Sequence, residues 1–282
     1  MPQIITNQAS LNYQYNGQTA TVVSNVASAV LSDPLSISKI AVQDSYRAAD
    51  VLTYVISFNN SSGTTQTNVT ITDDLGTYDF GTFTVTPLTY LGPALLFIGG
   101  VYNGNLTPTV TQNSVTFTIP ALAVGAQAQI VYRATVNEFA SLIPDAIITN
   151  TVSATADGIT TPTTASETVN AESYADVTVN KSMSTTGNEI TYRFVLENFG
   201  NTEATNIQLR DTFNPAPDAI TVQINGSPIS PDAYTYVGGV LTLPADGATP
   251  ITLPPATITQ DIATGIVSVV PSTLTVTVVG SL

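Results

Sequence analysis

The sequence predicts an all-β fold of two tandem β-sandwiches preceded by an N-terminal β-hairpin. Short runs in which apolar and polar residues alternate with a period of two fill most of the 282 residues, and Val, Ile, Thr and Tyr dominate them. Tight-turn dipeptides such as Asn16-Gly17 and Asp157-Gly158 separate these runs. Helix caps and apolar spacings of three or four residues are essentially missing. Many short strands at this spacing are typical of β-sandwiches.

An internal repeat predicts the order of the two sandwiches. The segment "LTYVISFNNSSGTTQTNVTITDDL" (52–75) aligns with "ITYRFVLENFGNTEATNIQLRDTF" (190–213). Each copy is preceded by a strand with one lysine, in "LSISKIAV" and in "VTVNKSMS". We therefore expect an N-terminal arm at 1–32, a first sandwich at 33–170 and a second at 171–282.

The N-terminal arm repeats the hairpin that closes the first sandwich. "IITN" occurs at residues 4–7 and again at 147–150, while the second copy runs only to "STLTVTVVGSL". The arm therefore predicts a donor hairpin for a second sandwich that has no closing hairpin of its own. We expect donation to a neighbouring subunit, a head-to-tail contact that propagates as a filament. The predicted donor face is Ile5, Ala9, Leu11, Tyr13 and Tyr15.

Composition excludes several classes of function. The chain has 6 Lys and Arg against 20 Asp and Glu, a net charge of −14, which argues against binding nucleic acid. Cys and His are absent, so disulfides, thiolate zinc sites and histidine catalysis are excluded. We expect no cofactor, no metal and no enzyme that turns over substrate. Residues 2–12 do not resemble a signal peptide, and no apolar run is long enough to span a membrane.

The placement of the two lysines predicts two reactive sites. Lys39 and Lys181 are the only lysines, and both share a strand face with apolar residues. By the same parity, Asp73 and Asp211 and the asparagines Asn150 and Asn7 also lie on predicted core faces. Because an unpaired buried charge is costly, we expect Lys39 to meet Asp73 and Asn150, and Lys181 to meet Asp211 and Asn7.

Such a trio can form a covalent bond. Burial favours the neutral amine of lysine, which is a nucleophile, and an adjacent Asp can shuttle protons as the catalytic acid. Attack on the Asn carboxamide expels ammonia and leaves an isopeptide bond, once per site. An ion pair with a hydrogen-bonded Asn would also satisfy these groups, and the pattern alone leaves both alternatives open. Asp73 and Asp74 are interpreted as one core acid and one exposed neighbour rather than a calcium site.

These segments resemble the bacterial surface Ig-like repeat catalogued as domain of unknown function eleven. The resemblance rests on "TYRFVLENFGNTEATNIQLRDTF", the preceding "VNKS" and the "ITN" strand, and it extends to the isopeptide-bonded Ig-like modules of pilins and adhesins. It implies a reacting first-strand lysine, a mid-domain acid and a last-strand Asn at Lys39, Asp73 and Asn150, with Asp74 as an alternative acid. It implies the same roles for Lys181 and Asp211. No later strand brings an Asn to Lys181; Gln260 and Asp261 are the nearest substitutes, but they precede the last strand.

The expected function is structural. We expect a subunit of an extracellular filament, a pilus-like fibre or spore appendage, whose partner is another copy of itself. An anchor protein at the cell or spore surface is a further expected partner. The alternative is a surface adhesin or stalk that does not polymerise and binds a ligand through the Tyr-containing segment 87–104. An enzyme using carboxylates ranks third, because no paired acids at a convincing spacing support it.

Overall fold

A computed structural model describes residues 3–31, 34–159 and 161–282. The expected boundary between the arm and the first sandwich, at 32 and 33, lies outside the described residues. The described chain consists of β-strands, nearly all of them paired antiparallel, and one short 3-10 helix, Pro231–Ala233, so the all-β prediction is confirmed. Within these ranges no helix is long and apolar enough to cross a membrane.

The N-terminal arm is a ribbon of two consecutive ladders. Its strands are β1 (Gln3–Asn7), β2 (Ser10–Tyr15), β3 (Gln18–Val23) and β4 (Ala27–Leu31). β1 pairs with β4 and β2 pairs with β3. Asn16 and Gly17 have φ angles of 51° and 69°, the left-handed pair that a two-residue hairpin turn requires. The sheet pairing joins the four strands of the arm to one another and to no other described strand.

The first sandwich contains thirteen strands. They are β5 (Leu35–Ala41), β6 (Ser45–Tyr46), β7 (Val51–Asn60), β8 (Gln66–Asp73), β9 (Tyr78–Phe80), β10 (Phe83–Val85), β11 (Leu88–Ile98), β12 (Val101–Leu106), β13 (Thr109–Val110), β14 (Val115–Leu122), β15 (Gln127–Val136), β16 (Ile147–Thr155) and β17 (Thr163–Ala171). One sheet has the order β12-β11-β15-β7-β5 and the other β13-β14-β8-β16-β17-β6. The two facing sheets enclose one hydrophobic core that reaches from Leu35 to Ala171.

Strand alternation builds this core. Every second residue of β7 is buried, including Leu52, Tyr54 and Ile56, and their neighbours in sequence are more exposed. Each fully buried aliphatic or aromatic side chain contributes about 1.5–3 kcal/mol to the stability of the fold. The period-two pattern therefore determines which face of each strand points inward.

The second sandwich contains twelve strands around a smaller core. They are β18 (Val177–Thr186), β19 (Glu189–Asn198), β20 (Ala204–Ile207), β21 (Leu209–Thr212), β22 (Ile220–Ile224), β23 (Ser227–Pro228), β24 (Thr235–Val237), β25 (Val240–Leu243), β26 (Ile251–Leu253), β27 (Thr257–Gln260), β28 (Val267–Val270) and β29 (Ser272–Ser281). One sheet has the order β18-β19-β29-β22-β23, and β21-β25-β24 and β20-β26 lie in separate ladders. This core is distinct from that of the first sandwich and reaches from Ile190 to Val278.

Two aligned asparagines show that the repeat is structural. The Asn60 amide nitrogen donates to the carbonyl oxygens of Thr64, Leu122 and Ala123. Its counterpart Asn198 donates in the same way to Thr202, Leu253 and Pro254. Both side chains are fully buried, so each satisfies carbonyl groups that the adjoining loops would otherwise leave unpaired.

The two sandwiches are joined by a junction of polar and apolar contacts. Arg47 forms a bidentate ion pair with Glu172 and stacks on the Tyr174 ring at 4.1 Å. Asn201 donates to the carbonyl oxygens of Leu142 and Glu172 at 2.8 and 2.7 Å. The β27–β28 hairpin of the second sandwich packs apolar residues against the core of the first. These contacts hold the connecting segment 172–176 between two packed bodies.

We predict that Gly200→Ala destabilises this junction. A Cβ atom at Gly200 would lie 2.2 Å from the carbonyl oxygen of Tyr174, and backbone cannot move aside as a flexible side chain can. Overpacking of this kind typically costs about 1–3 kcal/mol. Thermal unfolding followed by calorimetry measures the change.

The matched control is Gly63→Ala, where an added Cβ meets no atom within 4 Å and φ is not positive. We expect its melting temperature to stay near that of the unmodified protein. Equal melting temperatures for the two variants would contradict the close approach at the junction.

Candidate functional site

The first sandwich brings Lys39 and Asp73 into direct contact in its core. The Lys39 Nζ atom lies 2.6 Å from Asp73 Oδ2, and both side chains are completely buried. β5 carries the lysine in one sheet and β8 carries the acid in the facing sheet, so the ion pair spans the sandwich. Asp73 Oδ1 accepts from the backbone nitrogen of Leu75. The parity argument therefore placed both charged groups on the correct face.

Asn150 reaches this pair through a tyrosine. The hydroxyl of Tyr132 donates to Asp73 Oδ2 at 2.6 Å and accepts from Asn150 Nδ2 at 3.0 Å. The Asn150 Oδ1 atom is buried without a hydrogen-bond partner among the described residues. β16, which carries Asn150, lies against β5 across the sandwich. The predicted Lys, Asp and Asn are thus one connected network.

Sequence reasoning missed Tyr132. It lies on β15, directly opposite Tyr54 of β7 in the same sheet. A signal was available, because "AQIVYRATV" alternates like every other strand and puts this tyrosine on its apolar face. What the sequence lacked was the register that places β15 beside β7 and over Asp73.

Burial sets the electrostatics of this site. Desolvation lowers the pKa of Lys39, although Asp73 opposes the shift by attraction. Desolvation also raises the pKa of Tyr132 well above its usual value. A lysine with a lowered pKa and an adjacent carboxylate is chemically suited to nucleophilic attack on a carboxamide.

Asp74 differs from its interpretation as an exposed neighbour. Its Oδ1 atom accepts from the backbone nitrogens of Gly76 and Thr151, and burial raises its pKa. The carboxylate thus ties the loop after β8 to β16. These bonds give Asp74 a structural role next to the Lys39 site.

The second sandwich contains the same ion pair in a more open setting. Lys181 Nζ lies 2.5 Å from Asp211 Oδ2, and the lysine side chain is 40% exposed. The rings of Tyr192, Phe194 and Phe213 lie within 4.9–5.4 Å of the ammonium nitrogen. Asn7 belongs to the exposed arm and makes no hydrogen bond with this pair. The structure therefore joins two of the three predicted residues at this site.

The exposure of Lys181 follows from an unpaired strand edge. In the first sandwich, β8 pairs with β14 on one side and with β16 on the other. Its counterpart β21 pairs with β25 alone among the described strands. The place that β16 and β17 occupy in the first sandwich therefore has no counterpart, and we call this place the strand slot.

The apolar face beside the strand slot is exposed. β17 covers β5 in the first sandwich, and Leu35 and Lys39 are buried there. All ten residues of β18, the counterpart of β5, are exposed. Met183, on the lysine face of β18, is 69% exposed. An exposed apolar face next to an open strand edge is typical of a β-strand binding site.

The arm exposes the residues that correspond to the inward face of β16. Ile5 is 51% exposed in the arm, whereas Ile148, at the same place in "IITN", is 3% exposed in the first sandwich. Leu11 is 62% exposed and its counterpart Ala154 is fully buried. Ala9, Tyr13 and Tyr15 are also exposed. Ile5, Ala9 and Leu11 of the predicted donor face are thus exposed where their counterparts in β16 are buried.

The remaining candidates from the sequence lie away from the Lys181 site or within paired strands. Gln260, considered as a substitute for the missing Asn, donates from Nε2 to the Tyr78 hydroxyl at the junction, and Asp261 binds its own turn at Thr264. Segment 87–104, considered as a ligand-binding loop, forms most of the paired strands β11 and β12. In the described part of the chain no cluster of three or more acidic, His or Cys residues could hold a metal ion.

Comparison with known proteins yields structural likenesses only. No family model matches the chain, and no curated protein matches it, so membership of the surface-repeat family is not shown. The chain is similar to the 35 kDa C-terminal fragment of the major pilin of Streptococcus agalactiae, with 13% identity, 79% of each chain covered and a TM-score of 0.36.

Two further pilins give comparable values. For the major pilin subunit of Bacillus cereus, identity is 11%, coverage is 95% of this chain and 73% of that one, and the TM-score is 0.37. For the pilus backbone of Streptococcus pneumoniae, identity is 12%, coverage is 84% of this chain and 55% of that one, and the TM-score is 0.34. Similarity at this level does not assign a function to this chain.

We predict that Asp73→Ala strongly destabilises the first sandwich. The substitution leaves the buried Lys39 without its counter-charge, and breaking a buried pair in this way costs about 3–5 kcal/mol. Denaturant unfolding measures the loss.

The matched control is Glu172→Gln, which removes the acid from the exposed Arg47–Glu172 pair. We expect a much smaller loss, because solvent screens an exposed pair. A loss for Asp73→Ala no larger than that for Glu172→Gln would contradict the assignment of Asp73 to the core.

Proposed function

We propose that this protein is the structural subunit of an extracellular filament that assembles head-to-tail. The arm of one molecule, β1 to β4, inserts into the strand slot between β18 and β21 of the next. One observation carries the proposal: among the described residues no strand takes the place of β16 and β17 in the second sandwich, and the arm repeats β16 with its inward residues exposed. In this proposal the chain consists of a donor arm (1–32), a complete first sandwich (33–170) and a second sandwich (171–282) that the arm of a neighbour completes.

Docking would remove apolar surface from water on both partners. Ile5 and Leu11 of the arm would cover Val179 and Met183 of β18, and each fully buried side chain contributes about 1.5–3 kcal/mol. The open edge of β21 would gain the hydrogen bonds that β16 supplies to β8. A β-strand added to an open sheet edge is an established mode of tight binding between proteins.

The path of the chain supports linear growth. In the first sandwich β17 leads through 172–176 directly into β18 of the second. In the filament β4 of a docked arm would lead through 32–34 directly into β5 of its own first sandwich. Each hairpin would thus complete one sandwich and continue into the next, and the junction between subunits would repeat the junction within a subunit.

Chain reach disfavours docking of the arm into its own second sandwich. Thr163, at the start of β17, donates to the carbonyl of Leu35, and β17 runs parallel to β6 near the junction. Leu35 therefore lies at the end of the first sandwich far from the second. The four peptide links between Leu31 and Leu35 span at most about 14 Å. β18 alone extends about 33 Å beyond the junction, so a neighbouring molecule is the accessible acceptor.

Covalent bonds would lock this assembly. Lys39 would bond to Asn150 within a subunit, with Asp73 as the catalytic acid, and Lys181 would bond to Asn7 of the docked arm beside Asp211. In each case a neutral lysine amine attacks the Asn carboxamide, an N–C bond forms and ammonia leaves. The contact between Lys39 and Asp73 and the connection to Asn150 support this chemistry at the first site.

A filament closed by such bonds suits a load-bearing structure outside the cell. The proposed location is a cell or spore surface, with an anchor protein as a second partner. The chain itself acts once at each site and turns over no substrate. A non-polymerising adhesin or stalk is the competing function, and the two experiments below separate it from filament assembly.

We predict that Ile5→Asp prevents filament formation. A carboxylate on the donor face would have to be buried without a partner in the acceptor core, which costs several kcal/mol. Negative-stain electron microscopy and size-exclusion chromatography of purified protein measure assembly.

Ile4→Asp is the control, because Ile147, the counterpart of Ile4 in β16, is exposed at the sandwich surface. We expect normal filaments from Ile4→Asp and monomers from Ile5→Asp. Monomeric unmodified protein at high concentration would overturn the proposal and favour the adhesin.

We predict that Asn7→Ala abolishes the covalent ladder without preventing assembly. The substitution removes the carboxamide that Lys181 attacks but leaves the apolar donor face intact. Boiling in detergent followed by electrophoresis should show a ladder for the unmodified protein and a single band for Asn7→Ala.

Asn12→Ala is the matched control, since Asn12 bonds to Thr21 within the arm, on the face opposite Asn7. It should keep the full ladder. Filaments of the unmodified protein that dissolve to monomers on boiling would contradict the bond between subunits while leaving strand donation intact.

A further inference from the structure

The buried groups of the first site form one unbroken line of hydrogen bonds. Lys39 Nζ donates to Asp73 Oδ2, Tyr132 donates to the same oxygen, and Asn150 Nδ2 donates to Tyr132. The line begins at the nitrogen that must lose protons and ends at the nitrogen that must gain one. We propose that the Tyr132 hydroxyl relays a proton from Asp73 to the departing nitrogen of Asn150. This inference rests on the proposed bond between Lys39 and Asn150.

The proton balance requires such a path. The lysine ammonium carries three protons and the finished amide nitrogen carries one, so two leave Lys39. Asp73 takes one proton as the neutral amine forms. Attack on the carboxamide makes its carbon tetrahedral and gives Nδ2 a lone pair, so both hydrogen bonds of Tyr132 can reverse. The hydroxyl of Tyr132 then gives its proton to Nδ2 and receives the proton from Asp73. Ammonia then departs from the tetrahedral carbon, and the second lysine proton leaves with it as ammonium.

The surroundings of Tyr132 make it the suitable carrier. The residue is almost completely buried, so bulk water has no ready access to its hydroxyl. Its ring stacks on the ring of Tyr54, with 5.5 Å between the ring centroids, and packs against the ring of Phe117 at a centroid distance of 5.7 Å. Packing on these rings restricts the tyrosine to one orientation and keeps the hydroxyl between the acid and the amide. A hydroxyl held at hydrogen-bond distance from Nδ2, which it can protonate once that nitrogen has a lone pair, is the geometry that general acid catalysis requires.

The second site lacks this relay. Tyr132 lies opposite Tyr54, whereas the residue opposite Tyr192 is Val278. Lys181 is partly exposed in the single chain, so its protons can exchange with solvent before an arm docks. The two sites therefore share a lysine and an acid but differ in how protons reach the leaving nitrogen. Removing the Tyr132 hydroxyl should affect the bond within a subunit and spare the bond between subunits.

The test compares Tyr132→Phe with Tyr90→Phe in the full chain. Tyr90 belongs to the same aromatic cluster, 6.2 Å from the Tyr132 ring, but makes no hydrogen bond to Lys39, Asp73 or Asn150. Protein is made in a short cell-free synthesis, and samples taken over time are digested and analysed by mass spectrometry. The rate measured is the appearance of the peptide that joins Lys39 to Asn150 with loss of one ammonia.

We expect Tyr132→Phe to form this peptide about a hundredfold more slowly, the lower end of what a positioned acid contributes. Tyr90→Phe should react at the rate of the unmodified protein. The detergent-resistant ladder should form normally in Tyr132→Phe, and thermal unfolding followed by calorimetry should show that its first sandwich folds. Equal rates for the two variants, or equal slowing of both, would overturn the relay.

The outcomes separate the relay from the bond itself. If the unmodified protein never forms the joined peptide, the proposed bond fails and the relay fails with it. If the bond forms at the same rate without the Tyr132 hydroxyl, only the relay fails. Should Tyr132→Phe not fold, the unmodified protein is compared in light and heavy water. Slower bond formation in heavy water supports the transfer of a proton in the slow step, and an unchanged rate overturns it.

Discussion

The open edge of β21 is the constraint on which the other features depend. A β-sandwich is stable when both sheets are covered and their edges are paired or protected. The first sandwich achieves this with β16, which pairs with β8, and β17, which covers β5. In the second sandwich the same edge and the same apolar face are exposed, and the arm carries the matching strands at the other end of the chain. In the proposed filament, assembly between molecules would follow from this separation of a slot from its occupant.

The two lysine sites acquire distinct roles from the same constraint. The Lys39 site is buried within one chain, where hydrogen bonds connect the lysine to an acid, a hydroxyl and a carboxamide. At the Lys181 site the lysine is partly exposed. It contacts an acid and aromatic rings but no amide side chain of the described residues. A site that is finished only by the incoming strand would form its bond after correct docking. A bond within a subunit would stabilise the first sandwich, and a bond between subunits would make assembly irreversible.

The sequence predicted those features that depend on local periodicity. Parity along single strands placed Lys39 and Asp73 on inward faces, and the repeat aligned Asn60 with Asn198 in equivalent bonding roles. Features that depend on register between distant strands were missed. Tyr132 joins the site because β15 pairs with β7, and Gln260 belongs to the junction because its hairpin folds onto the first sandwich. Asp74 also gained its role from β16, a strand remote in sequence.

The most direct test of strand donation is a cryo-electron microscopy reconstruction of the assembled protein at a resolution that shows side chains. The account predicts that residues 4–31 of one molecule lie between β18 and β21 of the next. Asn7 should meet Lys181, and the path from Leu31 to Leu35 should cross the subunit boundary. An arm folded against its own chain, or a slot between β18 and β21 filled by any other segment, would contradict the account.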